Sequence, residues 1–409
     1  MPDYNNDNDI QNTAELEIKR RVEDLPVEKV EEDTEDFDEF DYFDEFAAKS
    51  PEPHTWPVST KKFYLSHKDK LYITVLLALI ALFAVIAVTV SLVWHFHAPQ
   101  GGVNNGTTAG DTTSAQTEDS AKGETLFPTI EFIPAGISDS ADDIAVDSIK
   151  STNAVFLDVT NMTVTASRLA DERTYPASLT KVMTLIVAVE NLRGSSALTD
   201  TITVSEEVFE RMRKEGASGA GLEPGEQLSV ESMLYALMLK SDGIAACELA
   251  KYVAGSEEAF VALMNGTAER LGLEDTHFVN PTGLHDNDHY STCRDLANIM
   301  AYAMQNEFCK KIMTEDLYVA SCTQANGNKF EYQFYHSLLV TQFDKLNKTL
   351  PNSAVVTAGK TGYTEESGYC LVTYAQADNG NGYVVVTTGA SSYSDCISDY
   401  ITVYEAYIP

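Results

Sequence analysis

The strongest constraint on this 409-residue chain is one unbroken apolar run, Leu71 to Val93, which contains no charged residue. At about 1.5 Å per residue the run is long enough for a helix to cross a hydrocarbon core of about 30 Å, so residues 71–94 are expected to span a membrane. For a cleaved leader the run is too long, starts some 70 residues in, and lacks a clear small-residue cleavage site. Lys61, Lys62, Lys68 and Lys70 stand just before it, and Trp94, His95 and His97 just after. That asymmetry places the N-terminus in the cytoplasm and everything past the span outside it. The run divides the chain into a tail at 1–70, a span at 71–94, a linker at 95–137 and a body at 138–409.

Residues 1 to 50 hold 18 Asp or Glu against 5 Lys or Arg, and Phe37 to Phe46 interleaves aromatics with acids. Such a segment cannot bury a core and is expected to be disordered, and its alternating pattern could dock on a basic cytoplasmic partner. The stretch from Pro99 to Gly123, rich in Gly, Thr, Ser and Asn, reads as a flexible tether. The whole chain carries a formal charge of −34, and the part beyond the span holds 42 acids against 19 bases. Charge attraction to nucleic acid or to an anionic polymer is therefore excluded, and a substrate must be reached by specific contacts.

The body is large enough for one core, alone or with a helical lobe. Within it, Ala177 to Val189 reads as a long apolar helix starting near Ser178, because Pro176 stops a helix from running through. Ser178 and Lys181 are three residues apart and share a face, so a hydroxyl and an amine project side by side. Burial of that amine lowers its pKa and makes it a general base, and the first-turn N–H groups point at whatever the serine attacks. Further on, Ser241-Asp242-Gly243 falls on a tight turn between two apolar helical runs, Leu234 to Lys240 and Ile244 to Tyr252. Lys360-Thr361-Gly362 lies between two strand-like runs, Ala354 to Thr357 and Tyr369 to Tyr374. A glycine there lets a substrate backbone approach the strand edge.

These residues resemble the active-site motifs of the D-alanyl-D-alanine carboxypeptidases, the low-molecular-weight penicillin-binding proteins of the S11 serine peptidase family. Four ordered blocks carry the likeness: Pro176 to Thr184, Gly221 to Glu226, Phe278 to Asp286 with His289 to Ala297, and Gly359 to Cys370. It covers the chain from about Ser138 onward. The resemblance implies the α+β penicillin-binding and β-lactamase-like transpeptidase fold, an antiparallel sheet flanked by helices with a helical lobe. It implies that Ser178 is the nucleophile that is acylated, Lys181 accepts its proton and Ser241 relays a proton to the leaving D-alanine. Lys360 and Thr361, with Gly362 and Tyr363, bind substrate; the N–H groups of Ser178 and Tyr363 form the oxyanion hole, and two converging lysines depress each other's pKa. The implied partners are peptidoglycan stem peptides, with β-lactam antibiotics as inhibitors; no cofactor is implied. Other carboxypeptidases of this kind often carry a C-terminal amphipathic anchor, and here the N-terminal span is expected to replace it.

Two departures stand out. The family's second motif usually ends in asparagine, where this chain has Gly243, and the family often uses an arginine near its last helix, where this chain has Ser391 to Asp395 and no arginine after Arg294. Lys360 and Thr361 are then expected to hold the substrate carboxylate alone. The alternative readings are a related β-lactamase or D,D-endopeptidase, and a catalytically silent wall-binding homologue. The β-lactamase reading lacks an obvious Glu-x-x-x-Asn loop between Ser241 and Lys360.

Coarsely, Ala154 to Val159 and Met162 to Ala166 read as a hairpin, 178–253 as mostly helix, 354–390 as strands, and Ser394 to Tyr407 as a last helix. His277, His285 and His289 lack further ligands at helical spacing and read as loop and packing residues, and the six cysteines have no C-x-x-C spacing, so no metal site is expected. Whether the cysteines pair is open.

Overall fold

The computed structural model describes residues 125–145, 147–194, 196–336 and 350–409. The acidic tail, the span and the linker as far as residue 124 lie outside the described residues. Among the described residues, no helix is long and apolar enough to cross a membrane.

Ten strands and eight helices are described. The main sheet has six strands: β1 (Gly136–Asp143), β2 (Asn153–Asp158), β3 (Thr163–Arg168), β8 (Val355–Thr364), β9 (Gly368–Gln376) and β10 (Gly382–Ala390), in the order β1-β3-β2-β10-β9-β8. Every pairing is antiparallel except β1 with β3, which run parallel. The two central strands read as unbroken runs because both faces are covered, and alternate residues serve opposite cores. Val155, Leu157, Val384 and Val386 enter the larger core, whereas Phe156, Tyr383 and Val385 enter a second one. Helix α8 (Tyr393–Tyr407) closes the second core with Ile397, Tyr400, Val403 and Tyr404.

The larger core is built around α1 (Thr180–Asn191), in which every residue from Thr180 to Glu190 is buried. A helix apolar all round has no solvent face, which is why α1 sits at the centre. Around it stand α3 (Val230–Leu239), α4 (Gly243–Ala254), α5 (Glu257–Arg270), α6 (Cys293–Gln305) and α7 (Glu307–Met313), with α2 (Glu206–Lys214) packed on α4. Side chains cap the helices: Ser205, Ser229, Asp242, Ser256, Thr292, Asn306 and Ser392 each accept a bond from a first-turn N–H.

Two features depart from the expected layout. A second sheet, order β4-β5-β6-β7, joins β4 (Thr201–Thr203), β5 (Gln227–Ser229), β6 (Leu317–Thr323) and β7 (Lys329–Tyr335). The helical lobe therefore carries a sheet of its own, with Tyr318 stacked on Tyr235 of α3 at 3.8 Å between centroids. Second, residues 125–137, read as the end of a linker, lie against the body. Leu126 N–H bonds the Leu192 carbonyl just past α1, Phe127 stacks on Phe308, and Ala135 N–H bonds the Asn298 side chain. Apolar Leu126, Phe127, Ile130 and Phe132 find places on the larger core, so the folded body begins by Thr125. All six cysteines are unpaired and buried.

Candidate active site

The turn expected to carry the nucleophile is one 3₁₀ turn, Ala177–Leu179, which runs directly into α1 and holds half-buried Ser178 at its centre. Ala177 takes a left-handed φ of 46°, a conformation that a residue with a Cβ resists and that its surroundings must impose. Two glycines do so. Gly283, itself at φ +84°, lies where any Cβ would come within 1.8 Å of the Ala177 carbonyl oxygen. Gly362 of β8 lies where a Cβ would be 2.9 Å from the Ser178 nitrogen and 3.0 Å from the Ala177 Cβ. Gly362 thus has a packing role on the face of β8 that meets the Ala177 turn, while the free edge of the strand, where a substrate backbone is expected to approach, is not paired with another strand among the described residues.

Lys181, one turn into the helix, sits 2.9 Å from Ser178 Oγ through Nζ and donates to the Thr282 carbonyl at 2.6 Å. It is 3% exposed. Burial lowers its pKa to about 8, with Asp242 and Cys247 acting in the opposite direction. Lys360 is 2% exposed and lies inside β8 rather than in a hairpin turn. Its Nζ donates to the Thr361 carbonyl at 2.8 Å. Burial first, and then the charge on Lys181, hold it well below the usual lysine range. The charge of Lys181 acting on Lys360 is the repulsion expected between two converging lysines. Among the described residues no carboxylate forms an ion pair with either lysine.

Ser241 occupies the middle of the three-residue link between α3 and α4, half-buried and at a left-handed φ of 55°. Asp242 beside it is fully buried: Oδ1 accepts from Ala245 N–H at 2.6 Å and Oδ2 from Ala220 N–H at 2.5 Å. Burial raises its pKa while these N–H bonds and Lys181 lower it. The two helices that the Ser241 link joins, α3 and α4, both pack on α1. Where the asparagine of the resemblance is missing, the space at Gly243 is full. A Cβ there would be 2.8 Å from the Ala217 Cβ and 3.1 Å from Met212 Sδ, and Gly243 N–H bonds the Ser218 carbonyl at 2.9 Å.

The rim is formed by half-buried Thr361 and by Tyr363, which is 43% exposed and tilted on Tyr369 at 4.5 Å. Strand β8 is an edge strand, so the residues from Lys360 to Tyr363 stand at the sheet's margin beside Ser178. Sequence reasoning missed the Thr282 carbonyl and Gly283. Their signal was the Pro281-Thr282-Gly283 block, in which the glycine supplies a positive φ after a buried threonine. Among the described residues, no group of three His, Cys, Asp or Glu side chains is placed to hold a metal ion.

The model of the S11 peptidases, described as D-alanyl-D-alanine carboxypeptidase, matches residues 140–392. The chain belongs to this family. Among curated S11 relatives, it is 34% identical over 241 residues to the D-alanyl-D-alanine carboxypeptidase DacF of Bacillus subtilis, covering 59% of this chain and 57% of that one. It is 29% identical to the carboxypeptidase DacA of Haemophilus influenzae, covering 65% of this chain and 64% of that one. The match therefore spans somewhat over half the length of these relatives. The crystal structure of the Streptomyces K15 DD-transpeptidase superposes with a TM-score of 0.56 at 25% identity, covering 64% of this chain and 98% of that one. The S11 fold expected from the motifs is thus the fold observed, with one parallel pairing at the β1 edge.

Proposed function

We propose that this S11 peptidase is a membrane-anchored D-Ala-D-Ala carboxypeptidase that removes the terminal D-alanine from peptidoglycan stem peptides through an acyl-enzyme on Ser178. The observation that carries the reading is the 2.9 Å approach of Lys181 Nζ to Ser178 Oγ in a site where neither buried lysine has a carboxylate partner among the described residues.

With its pKa at about 8, roughly a tenth of Lys181 is neutral at pH 7. The Thr282 carbonyl takes one N–H, which leaves the nitrogen lone pair free to receive the Ser178 proton as Oγ attacks the D-alanyl carbonyl carbon. The oxyanion that forms is received by the Ser178 and Tyr363 N–H groups, each worth about 2.7–4 kcal/mol by comparison with other acyl-transfer sites. The proton returns through Ser241 to the departing D-alanine nitrogen as the peptide bond breaks, and water then hydrolyses the ester. Lys360 and Thr361 hold the substrate carboxylate. Burial and Lys181 disfavour the charged form of Lys360, and an incoming carboxylate restores it by supplying the missing counter-charge. The anchor is the apolar run 71–94, with the catalytic body on the extracytoplasmic side and β-lactams as acylating inhibitors.

The test is to incubate the protein with a D-alanyl-D-alanine tripeptide, assaying free D-alanine, and with a labelled penicillin, scoring label on Ser178. Release of D-alanine together with stoichiometric label supports the reading. Rapid turnover of nitrocefin instead would reassign the protein as a β-lactamase, and neither product nor label would make it a silent homologue.

A further inference from the structure

His289 is a group that the acyl-transfer reading does not use, yet it joins the two segments that build the nucleophile site. It is 2% exposed, with Phe278 edge-on at 5.6 Å. Val279 N–H donates to its Nδ1 at 3.1 Å. A neutral imidazole that accepts at Nδ1 carries its proton on Nε2, and Nε2 lies 2.8 Å from Thr180 Oγ1. Thr180 is the first residue of α1, between Leu179 and Lys181, and Val279 opens the strap whose carbonyls and glycine meet that helix. Along this strap the Pro281 carbonyl accepts from Thr184 Oγ1, the Thr282 carbonyl accepts from Lys181 Nζ, and Gly283 lies against Ala177.

We infer that His289 is a positioning residue, which fixes the strap to the first turn of α1 and so sets the place of Lys181 Nζ relative to Ser178 Oγ. Neutrality is part of the role. A protonated ring could not accept from Val279, and it would add a positive charge beside Lys181, with His277 and His285 also facing it and only Asp286 opposing. Burial keeps the ring neutral, lowering its pKa to about 4. Glutamine offers one acceptor and one donor at about the same reach, so it can make both bonds without titrating; phenylalanine fills the space and makes neither.

The inference rests on the acyl-transfer reading, and its test separates the two. Acylation rates by labelled penicillin are measured for the full chain, for His289→Gln, His289→Phe, Thr180→Val and the His289→Phe/Thr180→Val double variant, each with a melting curve. Thr184→Val is the control, since it removes a bond between the same strap and the same helix one turn deeper. His289→Phe and Thr180→Val should each slow acylation about tenfold, the double variant no further, and His289→Gln should stay within about twofold of the parent. Thr184→Val should lower melting with little change in rate. Label on the parent with an undiminished rate in His289→Phe, additive losses in the double variant, or an equal loss in Thr184→Val overturns the role of His289 alone. No label on the parent chain sinks the acyl-transfer reading, and the role with it.

Discussion

Installing asparagine at Gly243 restores the residue that the family usually carries, and the structure says that it costs activity. The new Cβ would lie 2.8 Å from the Ala217 Cβ and 3.1 Å from Met212 Sδ. Methionine can swing aside, but Ala217 moves only with its loop. That loop is fixed to the same turn twice, by Gly243 N–H on the Ser218 carbonyl and by Ala220 N–H on Asp242. Overpacking of this kind costs about 1–3 kcal/mol. Ser241, two residues upstream in a left-handed conformation, takes up the displacement. If that cost falls on the acylation step, the rate constant with a labelled penicillin drops by about 5- to 140-fold at about 1.4 kcal/mol per decade, and melting drops by a few degrees. Adding Ala217→Gly removes the nearest clash and should recover part of both losses. An asparagine variant that acylates as fast as the parent and melts at the same temperature would refute the steric argument.

Because Lys181 must be neutral to accept a proton and burial sets its pKa at about 8, the acylation rate should rise about tenfold per pH unit from 6 to 7 and level off above 8; a flat stopped-flow profile over that range would remove Lys181 as the base. Asp242→Asn removes the carboxylate that raises Lys181, so the acid limb of the same profile should move to lower pH, and an unmoved or raised limb would show that Asp242 does not act on the base. Gly283→Ala, which forces a Cβ within 1.8 Å of the Ala177 carbonyl oxygen at a positive φ, should cost more than about 3 kcal/mol, seen as lost soluble yield or melting lowered by ten degrees or so.

The parts legible in the sequence were those dictated by local pattern. Pro176 with a largely apolar run located α1, short apolar runs located β2, β9 and β10, and the spacing of Ser178 and Lys181 placed both groups on one helix face. Contacts between distant segments were not legible. Nothing in Gly362 says that Ala177 will press on it, and nothing in His289 says that Thr180 lies 2.8 Å away, because both depend on how the strap at 279–283 crosses the helix. The β6–β7 hairpin was missed because its apolar residues do not divide cleanly into a buried and a solvent face: Leu317, Val319, Phe330 and Tyr335 are exposed, and Ala320, Cys322 and Phe334 are buried. Residues 125–137 looked like linker because their apolar groups, interrupted by Pro128 and Pro134, follow neither a helical nor a strand period although several pack on the larger core.

The docking of Leu126 beside Leu192 determines where mechanical load enters the body. Ser178 precedes α1 and Leu192 follows it, so the two are separated by the helix length, about 18 Å for twelve residues. Tension drawn through the residues before Thr125 is delivered at the rear of this rod, where it would first peel the short Thr125–Arg193 bridge. Under the anchoring proposed above, the pairing of Ser178 with Lys181 at the front of the rod is shielded from that tension.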